Sequence, residues 1–137
     1  MRKIGPLNLP ERPDFSEGIC RLHPHGQCTL VDAVDLVAAA IAYCREHGIR
    51  KLLVDVTGLS GIAIPSLVDR FLMAEEWAQR AESMVVVALV VHREYIHPKR
   101  FGVRVAADFG LVADVYTGVD DALKWLRNEV DPMRQPA

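Results

Sequence analysis

The chain predicts an α/β fold: a mostly parallel sheet of four to five strands with about four helices. Short apolar runs alternate with segments of helical periodicity four times along 137 residues. The runs at Lys51–Val56 and Met84–Val91 are apolar at most positions, as in strands covered on both faces. The connections between them are short, which suits right-handed βαβ crossovers. One domain over residues 15–128 is expected, with an extended lead-in over 1–14 and a frayed tail over 129–137.

Each element has a local reason. Pro6, Pro10 and Pro13 keep the lead-in extended, and a first strand follows over Phe15–His23. A polar turn through Pro24, His25 and Gly26 precedes a helix from about Leu30. Thr29 and Asp32 carry the helix-start pattern, and Gly48 carries the stop. The second strand is Lys51–Val56. Ser66 and Asp69 start a second helix, whose inward stripe is expected at Leu67, Phe71, Ala74, Ala78 and Ala81. The third strand spans Met84–Val91. His97 and Pro98 open a third helix, with Phe101, Val105 and Phe109 as core, and Gly110 closes it. A fourth strand, Val112–Tyr116, leads through Thr117 and Asp120 into a last helix containing Ala122, Leu123, Trp125 and Leu126.

Bulk properties exclude several classes. The net charge of −2 gives no field to attract nucleic acid. The longest apolar runs, Leu36–Tyr43 and Met84–Val91, are far shorter than the roughly 20 residues of a membrane span. Arg2 and Lys3 are followed by no apolar core segment, so no secretory signal is expected. Cys20, Cys28 and Cys44 form no CxxC pair and read as free thiols, which points to a cytoplasmic location.

In an open parallel sheet, ligands bind beyond the carboxyl ends of the strands. Those ends here are Pro24–Cys28, Thr57–Pro65, His92–His97 and Thr117–Gly118, and His23, His25, His92 and His97 fall at or beside them. His23, His25 and Cys28 supply three zinc-type ligands without a fourth, and equally suit a polar turn before a capped helix. Thr57, Ser60 and Ser66 offer hydroxyls for an anion or partner, or simply serve the loop that Gly58 and Gly61 turn and the cap that Ser66 provides. Asp55 is expected to clamp backbone N–H groups of that loop. Arg93, Lys99, Arg100 and Arg104 form a basic cluster, either a dock for an acidic group or a solvated face. Met73 and Trp77, one turn apart and partly off the expected stripe, form either an exposed patch for a partner or homodimer, or the flank of the core.

The run VDVTGLSGIAIPSL resembles the strand-loop-helix signature of the STAS domains, the anti-sigma-factor antagonists. Asp55, Gly58 and Leu67 match that pattern, and Thr57 and Leu59 are close substitutes. The family's acidic residue falls on Ala63, its phosphorylated serine on Pro65 and its glycine on Ser66, so the phosphorylation switch does not carry over. Over Thr29–Leu126 the chain more closely resembles the SpoIIAA-like branch, related to the CRAL-TRIO lipid-binding fold. The Asp55–Gly61 loop, the Arg70–Trp77 helix, the IHPKRFG run at Ile96–Gly102 and the Ala122–Leu126 segment carry that likeness.

The resemblance implies a non-enzymatic regulatory module that docks a partner protein through residues 57–77. The site residues expected are Thr57, Gly58, Leu59, Ser60, Gly61, Ser66, Met73 and Trp77. The alternative is a binder of a small apolar ligand or lipid at the strand ends, with Ile62, Ile64 and Ile96 at its mouth. No triad, metal set or cofactor fingerprint is present in the sequence, so neither cofactor nor catalysis is expected. The enzymatic version set beside these is redox work by Cys28 at a helix N-terminus.

Overall fold

The computed structural model describes residues 14–128. The lead-in expected before residue 14 and the tail expected from 129 lie outside the described residues. The elements run β1 (Asp14–Ser16), β2 (Ile19–Leu22), β3 (Gly26–Gln27), α1 (Leu30–Glu46), β4 (Lys51–Asp55), β5 (Leu59–Ser60), α2 (Leu67–Ala81), β6 (Val86–Val90), a 3-10 turn (Arg93–Tyr95), α3 (Phe101–Asp108), β7 (Ala113–Tyr116) and α4 (Val119–Asn128).

Among the described residues the fold is α/β, with four helices and a five-stranded mixed sheet in the order β1-β2-β4-β6-β7. The single first strand expected over Phe15–His23 is instead a hairpin. Glu17 and Gly18 sit at φ 57° and 73°, as a tight turn with two left-handed central residues requires, so β1 folds back antiparallel on β2. The other three pairings are parallel, with Leu22 beside Val54, Asp55 beside Val90 and Val90 beside Tyr116.

From β2 to β7 each crossover steps to the next strand in the same direction, and α1, α2 and α3 pack together on one face. Crossovers of one hand that advance in one direction place their helices on the same side. The strands alternate accordingly. Leu52, Val54 and Val87 face the three helices, while Leu53, Val86, Ala88 and Val90 face α4 through Ala122, Leu123 and Leu126.

Two of the three expected helix-start pairs close as capping boxes, while α4 begins at Val119, two residues beyond Thr117. Asp32 N–H bonds the Thr29 hydroxyl at 3.1 Å, and Asp69 N–H bonds the Ser66 hydroxyl at 3.0 Å. The third helix starts at Phe101 rather than at Pro98, because the 3-10 turn and a left-handed Arg100 intervene. Phe109, expected as core, is partly exposed at its end.

The stripe of α2 is rotated from the one expected. Ala74, Trp77 and Ala81 are buried with Met73 packed beside them, whereas Leu67 and Phe71 are 51% and 42% exposed. Trp77 decides this. It has the largest side chain on the helix, and its indole N–H finds the Val34 carbonyl at 3.1 Å, so burying it satisfies both the ring and its polar atom. Met73 and Trp77 therefore do not form an exposed patch.

Candidate functional site

Parallel pairing brings the loops that follow β2, β4 and β6 to one edge of the sheet, and they interlock there. The loops after β2 and β4 pair as the short ribbon β3–β5, with Gly26 N–H on the Gly58 carbonyl at 3.1 Å and Cys28 N–H on the Ser60 carbonyl at 3.0 Å. The ring N–H of His92 donates to the Thr57 carbonyl at 3.1 Å, which ties in the loop after β6. Tyr95 hydroxyl donates to the Ile62 carbonyl at 2.5 Å, and Arg70 on α2 donates to the Tyr95 carbonyl at 3.0 Å.

The expected site residues divide into two groups. Thr57 and Asp55 make the loop clamp, with Thr57 N–H and hydroxyl both donating to one Asp55 oxygen, at 2.9 and 2.6 Å. Gly58 is packed so closely that a Cβ would lie 2.8 Å from the Pro24 carbonyl oxygen and 2.6 Å from the His25 ring. Gly61 holds φ +85°, Ser60 is exposed and Ser66 is the cap. These residues build the loop. Leu59, Met73 and Trp77 instead line a partly open void.

That void lies between the three-helix layer and the sheet and measures about 150 Å³. Its walls are mostly apolar: Val34 and Val37 from α1, Met73 and Trp77 from α2, Val87 and Leu89 from β6, and Leu111 before β7. Small residues create it, since Ala33, Ala74, Gly102 and Ala106 line positions where the helices approach the sheet. Ile62 and Ile96 belong to its lining as expected, but Ile64 lies outside it and is exposed. The polar lining groups are few: Arg70, His92, Tyr95, His97, Arg100 and Asp114.

Arg100 and Arg70 differ. Arg100 sits in the left-handed region at φ 51° and spans from the start of α3 to β7, where its guanidinium bonds the Asp114 carboxylate and the Val115 carbonyl. Among the described residues, Arg70 bonds only a backbone carbonyl, and burial, partly opposed by Asp69, holds its guanidinium below the usual arginine range. Sequence reasoning missed Arg70 as a site residue. The signal was present, because Arg70, Ala74, Trp77 and Ala81 form one helical stripe once Trp77 is placed inward.

On the other side of the edge, a polar hollow of about 240 Å³ is lined by Asp14, Arg21, His23, Asp55 and Val119 among others. His23 Nε2 lies 3.5 Å from Asp55 Oδ2, a proximity set by the Leu22–Val54 register and invisible in the sequence. The Thr57 hydroxyl donates to Asp55 rather than to an imidazole, so these three do not form a nucleophile-base relay. The ring of His25 packs near that of His23, while Cys28 turns into the core beside Leu36 and Leu59. Among the described residues, no three His, Cys, Asp or Glu side chains gather where a metal could be held. Burial pushes the Cys28 thiol up, with Asp32 adding to the effect, which is opposite to what an activated thiolate needs. Among the described residues, no helix is long and apolar enough to cross a membrane.

The site therefore belongs to an α/β domain whose strand-end loops cover an apolar void. No known family model matches the chain, and no curated protein matches it.

Proposed function

We propose that the protein binds a small apolar ligand beneath the loops at the strand ends. The observation that carries this reading is the void itself. A space of about 150 Å³ with mostly apolar walls and a few polar groups matches a guest about the size of benzene, whose burial against those walls is favourable. The likeness of the Thr29–Leu126 region to the SpoIIAA-like branch, with its CRAL-TRIO relation, points the same way. Native mass spectrometry of the purified protein and titration with toluene, followed by amide NMR, test the reading. Binding with shifts at Val37, Met73 and Leu111, lost in Ala106→Leu, is the expected result. Absence of any toluene-dependent shift at saturation overturns it.

A second reading has its own observation. Leu67, Val68, Phe71 and Leu72 turn outward on α2, and Phe71 meets Phe109 edge-on with ring centres 5.4 Å apart. An apolar surface of this kind suits a regulatory module of STAS type that docks a partner protein through residues 57–77. Leu59 is buried and Ser66 caps α2, so the docking residues in this reading are those on the outer face of the helix. Capture of one stoichiometric partner, abolished by Val68→Asp, supports it. Capture that is indifferent to that substitution counts against it.

A further inference from the structure

We propose that the ligand of the apolar void is a small amphiphile bearing a carboxylate, and that Arg70 is the residue that receives the carboxylate. The proposal rests on the ligand-binding reading above and assigns the ligand's polar end.

The argument is one of charge and of uncommitted donors. Among the described residues, two guanidinium groups line the void and one carboxylate, Asp114, lines it with them. That carboxylate is bound by Arg100, which also donates to the Val115 carbonyl. Arg70 has no such partner. The carboxylate adjacent to it in sequence, Asp69, turns back to close the cap, accepting the Ser66 N–H at 2.9 Å. Arg70 gives one bond, from Nη1 to the Tyr95 carbonyl at 3.0 Å. A guanidinium carries five N–H donors in a planar fork, so the group retains a bidentate edge.

Among the described residues, the guanidinium and carboxylate groups lining the void thus leave a balance of one positive charge, Arg70 and Arg100 against Asp114. Desolvation disfavours the Arg70 charge, and the neighbouring Asp69 carboxylate, committed to the helix cap, offsets this only in part. A monoanion matches the balance better than a dianionic phosphate. The His97 ring supports the same polarity. Its Nδ1 accepts the Lys99 N–H at 3.0 Å, so its proton sits on Nε2, as a second donor among the lining groups.

The geometry also fixes how the ligand lies. Arg70 opens the inward stripe of α2, and Ala74 and Trp77 follow one and two turns deeper. A head held at Arg70 sends its apolar body along the surface of Trp77 toward Leu111. The void's size limits that body to about one aromatic ring or a short acyl chain.

The test compares toluene, phenylacetate, the neutral isostere phenylacetamide, phenethylamine and benzylphosphonate, by isothermal titration at low salt. We expect phenylacetate to bind about tenfold or more tightly than phenylacetamide, the gain of a charge-assisted pair. Phenethylamine should bind most weakly. The acid-to-amide ratio should fall toward unity in Arg70→Gln and stay above it in Arg70→Lys. Loss of the ratio at high salt in the unaltered protein gives a readout that requires no variant. If toluene fails to bind, the ligand-binding reading falls and takes this inference with it. If toluene binds while acid and amide are equal, only the carboxylate assignment falls. Tighter binding of benzylphosphonate than of phenylacetate overturns the choice of a monoanion, and an unchanged ratio in Arg70→Gln overturns the choice of Arg70.

Discussion

The two faces of the sheet are packed differently, although each strand contributes to both. On one face α4 seats Ala122, Leu123 and Leu126 directly on Leu53, Val86, Ala88 and Val90. On the other, three helices enclose the void, and alanine or glycine stands where a larger side chain would close it. The difference lies in the small residues and not in the number of helices. A single helix that seats Leu123 and Leu126 beside Ala122 packs its face, while three helices with Ala33, Ala74, Gly102 and Ala106 at the contact leave space.

The sharpest way to break that contrast is to remove equal bulk from each side. Leu126→Ala opens a hole in the packed face and should cost about 3 kcal/mol, within the range for buried leucines in unyielding surroundings. Met73→Ala enlarges a space that already exists, from a half-buried position, and should cost about 1–2 kcal/mol. Urea unfolding of both variants measures the difference. Equal losses would mean the two faces yield alike and the void is not a distinct feature of the three-helix side.

A second contrast separates the void from the loops above it. The loops are tightly tied through β3–β5, and at Gly58 two of them lie too close to admit a side chain. Gly58→Ala would drive a methyl group toward the Pro24 carbonyl and the His25 ring, and the backbone cannot yield as a long side chain would. A loss of about 1–3 kcal/mol is expected, with faster amide exchange at Gly26 and Cys28. Unchanged exchange there would show that the ribbon does not depend on this contact.

How much of this was legible in the sequence follows the same division. The strands covered on both faces announced themselves as continuous apolar runs, and the capping boxes at Thr29 and Ser66 fixed two helix starts because their cause is local. The hairpin was signalled only by Gly18, since a lone glycine in a strand suits a bulge as well as a turn and the left-handed Glu17 beside it does not show in the sequence. The α2 stripe was misjudged by counting leucine and phenylalanine as inward, when Trp77 had more area to bury and a carbonyl to reach. The void could not be read at all. Alanine at a core position reports a small side chain, and whether its partner across the layer fills the space depends on tertiary distance. Likewise His23 meets Asp55 only through strand register.

The buried thiols distinguish the interior by pH. Cys28 is protonated in the fold, and burial raises its pKa above the ordinary value of 9.0. In the unfolded chain it ionises near that value, so above it the unfolded state binds fewer protons than the folded one. Stability from this group is complete below pH 9.0 and declines as the pH rises beyond it. Cys44, buried beside Cys20, is pushed in the same direction, while Cys20 is lowered and acts the opposite way. Urea midpoints measured from neutral to alkaline pH should therefore fall above the thiol range, less steeply in Cys28→Ala. An identical slope in that variant would remove Cys28 as a contributor.

The smallest effect on stability carries the most weight for function. Val68 is 67% exposed on the outer face of α2, and replacing it by aspartate removes no buried contact. Unfolding free energy should stay within about 0.5 kcal/mol of the parent, as for surface changes away from caps and cores. Because Val68 points away from the void, ligand binding beneath the loops does not require it. Partner docking through α2 does, since a charge at the centre of an apolar contact must be desolvated. The variant therefore separates the two readings on a protein of unaltered stability. Toluene affinity kept and partner capture lost would mean that the two faces of α2 serve different ligands. Both kept would leave the inward face, with Arg70 and Trp77, as the working surface of the helix.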